Sequence, residues 1–190
     1  MNKDAVAQLL RQVRTLNNKP LQIVPATDDQ IHTFEVAHRV EMPEELKAWL
    51  RLCNGAAVNP GGLYSLFSDQ PNRVSMDWYL QNYPAWRQKN WFPIAGDGCG
   101  DVYVLMGNIK LLSTGTHPIG FLDQSDFSEP EYVVASGVWR FLHFLLQNQM
   151  LSDAGKDRYW PFDEKTVLAI DPDLVQCKEV PLPWDLTNDE

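Results

Sequence analysis

Six consecutive residues, Gly96-Asp97-Gly98-Cys99-Gly100-Asp101, gather the groups that a small reactive loop would use: accessible glycine amides, two carboxylates and a thiol. Three kinds of chemistry are conceivable there. Glycine amides can hold an anion, but the segment lacks the lysine and the Ser/Thr of a phosphate loop. Asp97 and Asp101 can hold calcium, but the repeated oxygen ligands of a calcium loop are missing. Cys99 can act as a nucleophile with His117 or His143 as its base and Asp101 as the orienting group, yet nothing in the spacing fixes these groups relative to one another. A sharp turn between two strands requires glycine and aspartate in any case, and a turn is the reading this segment supports best.

The remaining reactive side chains are similarly scattered. His32, His38, His117 and His143 are far apart, without the HExxH pattern or any diagnostic ligand pair, so no metal site and no cofactor is expected. Carboxylates recur at Asp123, Asp126, Glu129 and Glu131. General acid-base catalysis needs two such groups fixed across a cleft with separated pKa values. An ionic surface for a basic protein partner needs only their exposure, with Phe121 and Phe127 as apolar anchors among the charges. The expected partner-binding residues are therefore Asp97, Asp101, Asp123, Asp126 and Glu129, and no catalytic residue is expected.

The elements that must position these groups follow from periodicity. Val6, Leu9, Leu10, Val13 and Leu16 recur at helical spacing and predict a helix over residues 4–16. Thr27 and Gln30 form a capping-box pair before Ile31 and Phe34, with His32 and His38 expected on the solvated side or end of that helix. Pro43 to Cys53 is the clearest helix: Met42, Leu46, Trp49, Leu50 and Cys53 share one face, Glu44, Lys47 and Arg51 point away, and Gly55 supplies a left-handed stop. Leu63 to Phe67 is a short strand candidate. Trp78, Tyr79, Tyr83 and Trp86 in the next segment suit packing and a binding surface equally.

From Trp91 the pattern becomes β. Trp91 to Ala95 and Asp101 to Met106 flank the glycine turn, and Gly107-Asn108 predicts a hairpin into Ile109 to Leu112. His117 to Asp123 and Tyr132 to Val134 are further strands, after which Ser136 is expected to cap a helix presenting Val138, Trp139, Leu142, Leu145 and Leu146 to the core. Beyond Leu151 the chain looks loop-like, and Val180 to Glu190 is expected to pack over the domain as an extended tail. The fold class is α+β: a single domain over 1–190 with a largely antiparallel sheet packed by several helices.

Composition narrows the function classes. The 190 residues are 44% hydrophobic, enough for one sizeable core. A balance of 25 acidic against 16 basic side chains gives a formal charge of −9, which repels phosphate backbones and anionic membranes and so disfavours nucleic-acid binding. Three cysteines at irregular spacing suit a reducing compartment. With neither a signal-peptide pattern nor an apolar run of about 20 residues, the cytoplasm is the predicted location.

The order of motifs resembles the SUKH superfamily, which includes fungal cell-wall synthesis regulators and many bacterial immunity proteins. The resemblance rests on Met42-Pro43-Glu44-Glu45-Leu46-Lys47-Ala48-Trp49-Leu50 followed by Cys53-Asn54-Gly55, with Met where the family usually has Leu before the proline. It continues through Trp91-Phe92-Pro93-Ile94-Ala95 and the glycine turn to Asp101, then Pro118-Ile119-Gly120-Phe121-Leu122-Asp123 and the helix after Val134-Ala135-Ser136. This core covers about residues 31–150, leaving the helix at 4–16 and an extension at 151–190 outside it. The resemblance implies an α+β fold and a binding function without catalysis. It predicts an immunity protein that neutralises a polymorphic toxin by direct contact, and the acidic charge suits a basic nuclease as that toxin; the alternative it implies is an intracellular regulatory scaffold.

Overall fold

The computed structural model describes residues 3–16, 23–68, 74–154 and 163–186. Helix α1 (Lys3–Leu16) buries Val6, Leu10 and Val13 and packs on α6 (Val138–Asp153), as its periodicity predicts. Helix α2 (Asp28–His38) begins with the expected capping box: the Gln30 amide donates to Thr27 Oγ1 at 3.2 Å and the Thr27 amide donates to Gln30 Oε1 at 2.9 Å. Helix α3 (Glu44–Leu50) buries Met42, Leu46, Trp49, Leu50 and Cys53 on one face, and Gly55 takes φ 86° after it. Pro43 is the cap of α3 and not its first helical residue. Lys47, expected to point outward, folds back so that its ammonium lies 2.9 Å from the Glu35 carboxylate on α2.

Two short helices, α4 (Met76–Asn82) and α5 (Pro84–Gln88), fill the segment that periodicity left open, and both pack against β1. The sheet is an antiparallel meander of β1 (Trp91–Gly96), β2 (Val102–Met106), β3 (Ile119–Leu122) and β4 (Tyr132–Ala135), in that spatial order. Every residue of the first three strands is buried. The alternation of Val102, Val104 and Met106 with Tyr103 and Leu105 therefore separates two covered faces, in contrast to the half-solvated sheet common in antiparallel folds. Tyr103 and Phe121 form one such contact, with the Tyr103 ring 5.1 Å from Phe141 of α6.

The predicted hairpin from β2 into Ile109–Leu112 does not form. Val104 of β2 pairs instead with Gly120 of β3. A two-residue primed turn needs positive φ at its centre, and neither Gly107 nor Asn108 has it. Gly107 is there for close approach: its amide donates to Asn90 O at 2.9 Å, and a Cβ on it would sit 2.4 Å from that oxygen. The chain from 109 to 116 closes on itself through Leu111 N to Thr116 O. Leu63 to Phe67 likewise forms only isolated bridges, Leu63 with Ala56 and with Ala95. With Tyr64 N on Ile94 O, these bridges cover the outer edge of β1.

The end of the chain is more ordered than its composition suggests. Asp163 caps α7 (Glu164–Ile170) by accepting from the Thr166 amide, and a 3-10 helix follows at Pro172–Gln176. The segment beyond it covers the other sheet edge, where Val133 N donates to Pro181 O at 2.9 Å, while Val180, Leu182 and Trp184 pack on the core as expected of a tail; residues 187–190 lie outside the described part. Ser136 does not cap α6. The cap is Gly137, and the Ser136 amide and hydroxyl both donate to the buried Asp171 carboxylate, at 2.7 and 2.5 Å. Hydrophobic contacts from Val6 to Cys177 form one core in this single α+β domain.

Candidate protein-binding face

The β1–β2 turn turns its amides inward. Asp97 Oδ1 accepts from the amides of Cys99 (2.8 Å), Gly100 (3.1 Å) and Asp101 (2.9 Å), so the donors that an anion would need already serve the loop's own carboxylate. The turn is braced from outside by the 55–62 loop. A Cβ on Gly61 would come within 2.2 Å of the Gly98 amide nitrogen, and one on Gly98, where φ is 90°, within 2.8 Å of Pro60 O. Replacing Asp97 by alanine removes the turn's shared acceptor and, since water can reach the freed amides, should lower the unfolding free energy by about 1 kcal/mol, while Asp97→Asn, which keeps the acceptor oxygen, should lower it by less than half as much in urea melts.

Asp101 and Asp123 complete this end of the sheet. Asp101 Oδ1 accepts from the Gln124 amide at 2.9 Å. Burial pushes the Asp101 carboxyl above its usual range, and the charges of Asp97 and Asp123 add to that shift against the opposing Gln124 amide. Asp123 and Asp126 move the other way: the hydroxyl and amide of Ser125 hold Asp123 low, and those of Ser128 do the same for Asp126. Farther along the same connection, the Glu129 carboxylate lies 2.7 Å from Lys89 Nζ just beyond α5. The five expected residues thus fall into two groups. Asp97, Asp101 and Asp123 share one tip, and Asp126 and Glu129 lie beside α5, joined to the tip by the turn from Asp123 O to Asp126 N.

Only one of the two expected aromatic anchors is on this face. Phe121 is buried, its ring stacked 4.8 Å from Tyr132. Phe127 is half-buried and meets Tyr83 and Trp86 edge-on at 5.1 and 5.6 Å.

The histidines and cysteines have other surroundings. His38, expected at a solvated position, is buried against Phe34 and lies 2.9 Å from Asp77 Oδ1, tying α2 to α4. His117 lies 3.4 Å from Glu45 of α3, whose carboxylate also accepts from the His117 amide. Cys53 and Cys177 are buried and Cys99 is exposed, and the Cys53 thiol donates to Gly55 O at 3.5 Å. Among the described residues, no group of three or more His, Cys, Asp and Glu is arranged to hold a metal ion, and no helix is long and apolar enough to cross a membrane. Two concavities, of about 400 and 210 Å³, share Cys177, Lys178 and Glu179 in their linings, and none of the five expected binding residues lines either. Asp126 and Glu129 are exposed on their loop, and Asp97, Asp101 and Asp123 are partly exposed at the tip.

Residues 25–143 match the model of the SMI1 / KNR4 family (SUKH-1). The chain belongs to that family. A comparison with curated proteins gives no match. The SUKH-1 match runs from the approach to α2 into the first turns of α6, so it contains α3, the whole sheet and both acidic groups. Helices α1 and α7 and the 3-10 helix lie outside it.

Sequence reasoning missed the side chains that hold the SUKH-1 frame at long range. Glu45 joins α3 to the approach to β3 at His117, Ser136 and Asp171 join the start of α6 to the C-terminal segment, and a buried carboxylate pairing across 35 residues leaves no periodic trace. Trp78 was legible only as an aromatic in a cluster. It is 43% exposed, which its spacing alone does not indicate.

Proposed function

We propose that this chain is a non-catalytic protein-binding module, an immunity protein that neutralises a toxin by direct contact through the face bearing Asp97, Asp101, Asp123, Asp126 and Glu129. The observation that carries this reading is the braced acidic loop surface on a chain of net charge −9. Membership in the SUKH-1 family supports binding as the mode of action. Fixed carboxylates at the tip steer a basic partner into register, and because their loops are held by backbone hydrogen bonds, little ordering entropy is lost on contact. A basic nuclease is the toxin class whose charge fits this surface best. Neutralisation then consists of covering the toxin's active site or an adjacent surface.

Affinity capture with the tagged full chain at moderate and high salt tests this reading, followed by co-expression with the captured protein. A single salt-resistant partner whose toxicity disappears on co-expression is the expected result. Several weak, salt-sensitive, non-toxic partners would instead favour a regulatory scaffold and remove toxin neutralisation.

A further inference from the structure

The SUKH-1 frame and the C-terminal extension meet along a groove. Its two concavities, of about 210 and 400 Å³, adjoin through Cys177, Lys178 and Glu179, which line both. Leu112 forms part of the wall of the smaller one, and Val175 part of the wall of the larger. Val175 is 44% exposed and Leu112 is wholly exposed. A single exposed leucine is ordinary in itself, but this one is held rigidly at the lip of a hollow. Leu111 N donates to Thr116 O at 2.9 Å and Gly115 N to Leu111 O at 2.8 Å, which closes the loop that carries it. Leu111 is buried, and Ser113 Oγ donates to Asp173 of the extension at 3.3 Å. The knob is therefore fixed before anything covers it, and little ordering entropy is lost on contact.

Charge selects the occupant. Lys110, Lys178, Glu179 and Asp185 are exposed around the groove, so its lining is locally neutral on a chain whose net charge is −9. A basic partner is not drawn to such a surface, whereas two copies of the chain, which repel one another elsewhere, do not repel here. None of the ion pairs among the described residues engages Lys110, Lys178 or Glu179. Adjacent charges of opposite sign suit a two-fold axis: in an isologous contact each Lys178 faces the other copy's Glu179, and each Leu112 faces the other copy's hollow. Size agrees with this. Taking one leucine side chain out of a core leaves a void of roughly 150 Å³, and the smaller concavity holds about 210 Å³. We infer that the groove is a self-association surface, where two copies of the chain pair about a two-fold axis with the Leu112 of each seated in the hollow of the other. Such a dimer is independent of the toxin reading, because none of the five acidic residues lines the groove.

Sedimentation velocity of the full chain over a concentration series tests the pairing. The unsubstituted chain should dimerise reversibly with a dissociation constant on the order of 10–100 µM, as a small contact would give. Leu112→Asp should raise that constant at least about tenfold. Because Leu112 is wholly exposed, its replacement leaves the core intact. Lys178→Glu alone and Glu179→Lys alone should each stay monomeric, since each brings like charges together across the axis. An equimolar mixture of those two variants should dimerise again, because every contact in the mixed pair joins opposite charges. A chain that is still monomeric at about 1 mM, or a dimer that Leu112→Asp leaves unchanged, overturns the pairing. So does amide protection at 110–112 and 175–179 that appears only when the captured partner is added, which would assign the groove to that partner.

Discussion

Trp86→Ala should lower the unfolding free energy by about 4 kcal/mol in equilibrium urea denaturation. Trp86 is 1% exposed, stacks 5.4 Å from Tyr79 and 5.0 Å from Tyr83, and receives the edge of Phe127. Truncation opens a cavity among rings that have no room to collapse, because Tyr79 is also fixed by its hydroxyl contact with Tyr64 at 3.2 Å. It also removes the donor to Phe127 O, the one side-chain hydrogen bond from α5 to the loop carrying Asp126 and Glu129 among the bonds described. A five-residue helix has no stability apart from its packing. Amide exchange at 126–129 should therefore accelerate more than exchange in the sheet. Trp86→Phe, which keeps a ring and loses the donor, should cost about half as much.

The second large effect is at Asp171, fully buried between the C-terminal segment and the start of α6. Its carboxylate accepts both the amide and the hydroxyl of Ser136, and Arg140 Nε lies 3.7 Å away. Asp171→Ala leaves buried donors without a partner and should cost about 3 kcal/mol. Asp171→Asn keeps an acceptor and should cost less.

The burial of Asp171 also makes stability depend on pH. Burial pushes the Asp171 carboxyl above its ordinary range, against the pull of Ser136 and Arg140. The folded protein therefore binds this proton more readily than the unfolded chain. The stability contributed by protonation is complete below the ordinary aspartate range and is lost as pH rises through the raised folded value. An asparagine does not titrate. The stability of the unsubstituted chain relative to Asp171→Asn should thus increase as the pH falls from 7 toward 4, with other titrating groups common to both proteins cancelling in the difference.

The legibility of this fold follows the range of the interactions. Helices α1, α2 and α3 and strands β1 and β2 are written in local periodicity and in the Thr27–Gln30 cap, and they appear where the spacing puts them. Gly107-Asn108 does turn the chain, with Ile109 N on Met106 O, but without the positive φ of a hairpin turn and with Gly107 held against Asn90, so no Ile109–Leu112 strand follows on β2. The α6 cap failed because Ser136 has a stronger acceptor in Asp171, 35 residues away. Likewise the acidic residues could be named from sequence, but their division into a braced tip and a pair beside α5 depends on Gly61 and Lys89, which lie far from them in the chain.

The most direct test of the account is the association rate between this chain and its captured partner as the acidic face is neutralised in place. Asp97→Asn, Asp101→Asn, Asp123→Asn, Asp126→Asn and Glu129→Gln together remove five charges while keeping oxygen acceptors for the backbone amides of the loops. If this face steers the partner, the neutralised protein should associate at least about tenfold more slowly at low salt, with the difference closing as salt screens the field. An unchanged rate at low salt, with the unfolding midpoint preserved, would contradict the account and move the interface off the acidic face.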